Sequence, residues 1–180
     1  MKVHKNVLWI TRTAVFVAAT VALQVLAAQL GNQFITGSVV NMMLILAVMI
    51  CGLPSGAMVA ATTPVMATLL GVGPLWPIVP FIAAGNITLV TVWRLVGNMK
   101  LPVKYVSYVA ALILAASAKF AVLYFGVVKI ALPYILGLPE SSAPHIMLSF
   151  MFSYPQLITA SAGGVCALLL LPLLKKAIDV

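Results

Sequence analysis

Apolar residues in this chain come in long, nearly uninterrupted runs, with no sign of the alternation of a half-buried strand or the heptads of a coiled coil. Six runs stand out, at residues 7–28, 39–51, 57–70, 78–96, 103–125 and 155–174. A helix of about 20 apolar residues crosses the hydrocarbon core of a bilayer. The pattern therefore predicts an all-α integral membrane protein with six transmembrane helices, the second and third short, in a single domain over residues 1–180. The breaks have turn chemistry. Gly31-Asn32-Gln33 ends the first run, and Gly52-Leu53-Pro54-Ser55-Gly56 is a knot too tight for anything but a hairpin. Pro64 is expected to kink the third span. A stiff Gly/Pro loop with Trp76 occupies 71–77. The longest non-spanning stretch, 126–149, carries Lys129, Glu140, Ser141 and His145, with helical potential left over 129–136.

Composition agrees that lipid is the solvent: 64% of residues are hydrophobic and 7% charged, against roughly 25% charged in soluble domains. A basic start, an apolar run and Leu26-Ala27-Ala28 outline a signal peptide, but the segment is read here as a retained span. The net charge of +8 does not point to nucleic acid, because the cations form no basic, aromatic-studded face. They sit at alternate ends of the runs. Lys2, Lys5, Arg12, Arg94, Lys100, Lys104, Lys175 and Lys176 fall on one side of the membrane, and Lys129 on the other. That asymmetry predicts both termini in the cytoplasm. Trp9, Trp93, Tyr105 and Tyr108 then mark the inner interface, and Trp76, Tyr124, Tyr134 and Tyr154 the outer.

Lys119 disobeys the pattern. It lies deep in the fifth run, and neither acid of the chain, Glu140 or Asp179, lies in any run to pair with it. A cation at membrane depth costs roughly 2.5–3.5 kcal/mol on insertion scales. Either it snorkels to the outer surface or it faces a pocket and pairs with an anionic ligand. Asn41, Asn86 and Thr88 are the next candidates: a buried amide demands partners, whether another helix or a bound molecule. Gln29, Asn32 and Gln33 at the outer end of the first span, and Gln156 at the start of the sixth, are candidates for a pocket rim.

Small residues recur at Ala14, Ala18 and Ala22, one face of the first span, where another backbone can approach closely, inside the monomer or from a partner. Ala111, Ala115 and Ala118 form a similar face, and Gly163-Gly164 another close-packing point. Several chemistries are missing. No Gly-Lys pair exists to build a P-loop, no run holds a carboxylate, and His4 and His145 lie away from the spans. Cys51 and Cys166 form no metal or disulfide pattern. An enzyme and a bound cofactor or metal are not expected, and a proton-coupled carrier is disfavoured.

The combination of size, six spans, both ends inside, the Ala14-xxx-Ala18-xxx-Ala22 face, the short spans around Cys51–Gly56, and Gln156 through Gly163-Gly164 before Lys175-Lys176 resembles the S components, the substrate-binding subunits, of energy-coupling factor (ECF) transporters. The resemblance covers nearly the whole chain. It implies a multi-pass subunit of a prokaryotic plasma membrane that binds a vitamin or related micronutrient at its outer face. It also implies partners: a transmembrane coupling subunit, met through Ala14, Ala18 and Ala22, and two ATPases that supply the nucleotide chemistry. The 71–77 loop would close the pocket, with Trp76 as its cover or as an interfacial anchor. Substrate-binding candidates are Lys119, Asn86, Asn41, Trp76, Gln33 and Gln156. Two other classes fit the same composition: a stand-alone oligomeric transporter or channel, and a non-transporting membrane scaffold.

Overall fold

The computed structural model describes residues 2–99 and 104–178, with side chains over 7–99 and 106–176. Lys100 and Asp179, and the side chains of Lys2, Lys5, Lys104 and Tyr105, lie outside the described residues. The described chain is all helical: α1 (Lys2–Ala28), α2 (Gln33–Cys51), α3 (Leu53–Leu69), a 3-10 turn (Trp76–Ile78), α4 (Val79–Gly97), α5 (Lys104–Leu123) continued as a π-helix (Tyr124–Ile135), α6 (Ala143–Met151) and α7 (Pro155–Ile178). Five helical stretches are long and apolar enough to cross a membrane, and α3, with 17 residues, is a shorter apolar helix. The protein is a multi-pass helical membrane protein.

Three expectations are corrected. The second helix is not short: it begins at Gln33, because the Asn32 side chain caps it by accepting from the Phe34 N–H at 2.9 Å. The fifth helix does not stop near Phe125. It widens into π geometry and runs on to Ile135, and α6 occupies much of the remaining stretch that the sequence suggested was a loop. Trp93 is no interfacial anchor either. It is fully buried between α4, α5 and α7, its rim against the backbone at Gly97 and Gly164.

Glycines decide how closely these helices meet. A single residue, Gly52, joins α2 to α3; its φ of 86° is open to glycine and strained for any L side chain. Gly163 on α7 is the other critical one. A Cβ there would lie 2.6 Å from the Ser38 carbonyl oxygen and 2.8 Å from the Asn41 Cβ. A Cβ on Gly37 would likewise meet Thr159, so α2 and α7 run side by side in the same direction. α4 and α5 run opposed, with Gly85 against Leu123 and Gly126 against Phe81. α1 packs mainly on α2 and α3 and leaves its remaining surface uncovered.

Adding bulk at the α2–α7 crossing forces the backbones apart, a penalty of about 1–3 kcal/mol for an overpacked site. Gly163→Val is expected to lower the unfolding free energy of the detergent-solubilised protein by that amount. Val165→Ala, at an exposed position of the same helix, is expected to leave it within experimental error.

Candidate functional site

A cavity of about 420 Å³ lies at the end of the bundle where α1 passes to α2, and α2, α3, α4, α5, α6 and α7 all contribute to its wall. That volume is in the range of small-molecule sites. Lys119 lies in its lining and is 4% exposed. The ammonium does not snorkel. It donates to the Asn41 Oδ1 at 2.6 Å and to the Asn86 Oδ1 at 2.7 Å.

Each amide is oriented by what its other end does. The Asn41 Nδ2 donates to the Thr159 Oγ1 at 3.4 Å, and that hydroxyl donates on to the Gln156 carbonyl at 3.3 Å. The Asn86 Nδ2 donates to the Ala60 carbonyl at 3.4 Å. That carbonyl is free for a local reason: its helical partner would be the N–H of residue 64, and Pro64 has none. Both amides therefore turn oxygen toward the lysine. Amide oxygens stabilise an ammonium without cancelling its charge, and Glu140, the acid among the described residues, is exposed on the loop before α6. A lysine ammonium has three donors. Two are spent here, on neutral acceptors that leave the charge of a protonated Lys119 uncancelled.

Gln33 and Gln156 also line the cavity. Their Nε2 groups converge on one acceptor, the Met151 carbonyl, at 2.8 Å and 3.0 Å. Met151 ends α6, where a carbonyl has no helical partner, so the two glutamines tie down that helix end. Met147, Leu148, Met151 and Phe152 thereby roof the cavity. Val72, Gly73, Pro74 and Leu75 supply the other part of the cover. This loop is held back on α3 by the Val72 N–H to the Ala67 carbonyl at 3.0 Å, while the Thr68 hydroxyl shares its one proton between the Pro64 carbonyl at 2.9 Å and the Pro74 carbonyl at 3.2 Å. A side chain on Gly73 would overlap the Thr68 backbone nitrogen and hydroxyl.

The candidate residues Lys119, Asn41, Asn86, Gln33 and Gln156, spread over four helices, thus meet in one cavity. Trp76 does not join them. It is 54% exposed and outside the lining, to which the same loop contributes Val72, Gly73, Pro74 and Leu75. Thr88 spends its hydroxyl on the Ala84 carbonyl, outside the cavity. Gln29 and Asn32 are exposed. Residues not singled out from the sequence are Gln24, Thr36 and Thr63, which add polar lining. An amide inside an apolar run was a usable signal for Gln24, the same one that marked Asn86.

A second concavity, about 820 Å³ and almost wholly apolar, runs along α1 and α3. Ala14, Ala18 and Ala22 line it with Val17, Val21, Met58 and Met66. All three alanines are exposed, so they do not pack inside the monomer.

Comparison with family models, with curated proteins and with solved structures finds no match to this chain, so function is read from the site itself.

Removing one acceptor from a buried ammonium leaves it under-solvated, at a cost of about 1–3 kcal/mol. Asn41→Leu is expected to destabilise the protein by that amount in a detergent unfolding assay. The same change made in a Lys119→Met background is expected to cost less, because no charge is left wanting; equal costs in both backgrounds would refute the pairing.

Proposed function

We propose that this chain is the substrate-binding subunit of an ECF-type importer, capturing a small anionic micronutrient in the Lys119 cavity. One observation carries the reading: a ligand-sized cavity whose floor is a buried cation held by neutral amides. An anion entering it meets a charge already desolvated and already positioned, so little must be reorganised on binding. Carboxylates and phosphates suit that floor, and cationic ligands are repelled.

The remaining features support the same reading. In the proposed topology α3 spans the membrane as the third of six helices, both termini are cytoplasmic, and the cavity faces outward in a prokaryotic plasma membrane. Arg94 in the last turn of α4, Lys175 and Lys176 in that of α7, and Arg12 beside Ile50 and Cys51 all gather at the bundle end away from the cavity, as cytoplasmic cations should. The apolar groove along Ala14, Ala18 and Ala22 is the proposed seat of the coupling subunit. Small side chains there let a partner helix approach to backbone contact, which is what drives association in lipid. ATP hydrolysis would belong to two partner ATPases, and the chain itself would carry out no bond chemistry.

The test begins with mass spectrometry of small molecules retained on the protein purified from its native membrane, where an anionic compound is expected. Lys119→Met should weaken that compound's binding by about 10- to 100-fold, the worth of a charge-assisted hydrogen bond. Ala18→Trp should leave binding intact and abolish ATP-dependent uptake. Uptake into liposomes by the purified chain without ATPases would instead establish a stand-alone transporter, and absence of any ligand would favour a scaffold.

A further inference from the structure

The bundle end away from the cavity carries a feature that substrate capture does not use. α1 and α2 are joined at the cavity end by a short turn, but α1 has 27 residues and α2 has 19, a difference of 8. That difference is about 12 Å of helix, so the first turns of α1 stand clear of the hairpin that joins α2 to α3. A notch of about 230 Å³ lies under the overhang. Leu8, Trp9 and Arg12 of α1 form one side of it, and Ile50 and Cys51, the end of α2, form the other.

Arg12 is the unusual member. Its guanidinium makes no hydrogen bond or ion pair among the described residues. The last carbonyls of α2 carry partial negative charge, which favours a cation at this place but leaves its N–H donors unspent. The residue also lies inside the apolar span, which begins five residues earlier at Val7. Val7, Leu8, Trp9 and Ile10 are all exposed, so the overhang is apolar up to the arginine.

A charged group and an apolar wall in one open notch select an amphiphile. Free phosphate satisfies the guanidinium and leaves Leu8, Trp9 and Ile50 bare. A zwitterionic lipid covers them but brings a phosphate already matched by its own cation. We propose that the notch binds an anionic phospholipid, with the phosphate on Arg12 and the start of the acyl chains over Leu8, Trp9 and Ile50. Tryptophan at headgroup level suits that placement. The volume falls below the roughly 300–1,000 Å³ of enclosed small-molecule sites, which fits one headgroup whose tails stay in the bilayer. Trp9 lines the α1–α3 groove as well, so the bound lipid borders the surface on which a coupling subunit is proposed to dock. The site is separate from the Lys119 cavity and from whatever that cavity holds.

Native mass spectrometry tests the proposal on the full chain in detergent micelles doped with equal amounts of dioleoylphosphatidylglycerol and dioleoylphosphatidylcholine. One phosphatidylglycerol is expected to be retained with about tenfold preference, the worth of a charge-assisted hydrogen bond. Arg12→Gln is expected to abolish the preference, and Arg12→Lys, which keeps the charge and loses the planar fork, to keep part of it. Leu8→Glu, at an exposed position, supplies Arg12 with a counter-charge inside the notch and is expected to abolish the preference with the arginine in place. Arg94→Gln removes another cation from the same bundle end and is expected to change nothing. An equal loss with Arg94→Gln traces the preference to the overall charge of that end and overturns the site. So does the lack of any preference in the native chain, or its survival in both Arg12→Gln and Leu8→Glu. If inorganic phosphate displaces the phosphatidylglycerol at comparable concentration, the notch takes soluble anions and the lipid assignment is refuted.

Discussion

Everything about this site follows from placing one ammonium group inside an apolar bundle without a carboxylate to meet it. Burying a charge is tolerable only if its hydrogen-bonding capacity is met. Here two neutral amides meet most of it, Asn41 from α2 and Asn86 from α4, converging on Lys119 from α5. The solution is deliberately incomplete in the electrostatic sense: dipoles lower the cost of the ion but leave its field standing in a low-dielectric cavity. A carboxylate partner would have neutralised that field.

The rest of the bundle arranges access to that field. α6 and the 72–75 segment cover it from two sides, the one tied by paired glutamines and the other pinned to the end of α3. The α6 cover is also anchored by apolar packing: Leu148, Met151 and Phe152 join a cluster with Ile78, Leu123, Val127 and Leu132. The core proper lies deeper, around Leu44, Val48, Val59, Val90 and Trp93, where glycines permit helix crossings too close for any side chain.

Much of this was readable from residue types, for a physical reason. In a chain whose solvent is lipid, a polar residue inside an apolar run is expensive, so each one is informative; Lys119, Asn41 and Asn86 announced themselves in this way. What could not be read was which residue of a turn faces inward. Leu75 and Trp76 are adjacent and both about half exposed, yet only the leucine reaches the cavity lining. The π-helical continuation of α5 was hidden for a similar reason: a run of 12 apolar-rich residues including Lys129 and Pro133 has no periodicity that separates π from α or from loop. Trp93 misled in the opposite direction, since an indole near the end of a span is usually an interfacial anchor and here fills the space that Gly97 and Gly164 leave open.

Pro64 is ordinarily the kind of residue one would describe by the bend it puts in a helix. Its larger effect is on polarity. By withholding one N–H it leaves the Ala60 carbonyl facing α4, and that carbonyl accepts only the nitrogen end of Asn86. Turning the amide over would set a carbonyl against an oxygen and an NH₂ against an ammonium, two repulsions at once. A defect in the backbone of one helix therefore dictates the electrical sign that a side chain on a second helix shows to a third. The oxygen that Asn86 turns to Lys119 is dictated partly by an imino acid that carries no charge and donates no hydrogen bond.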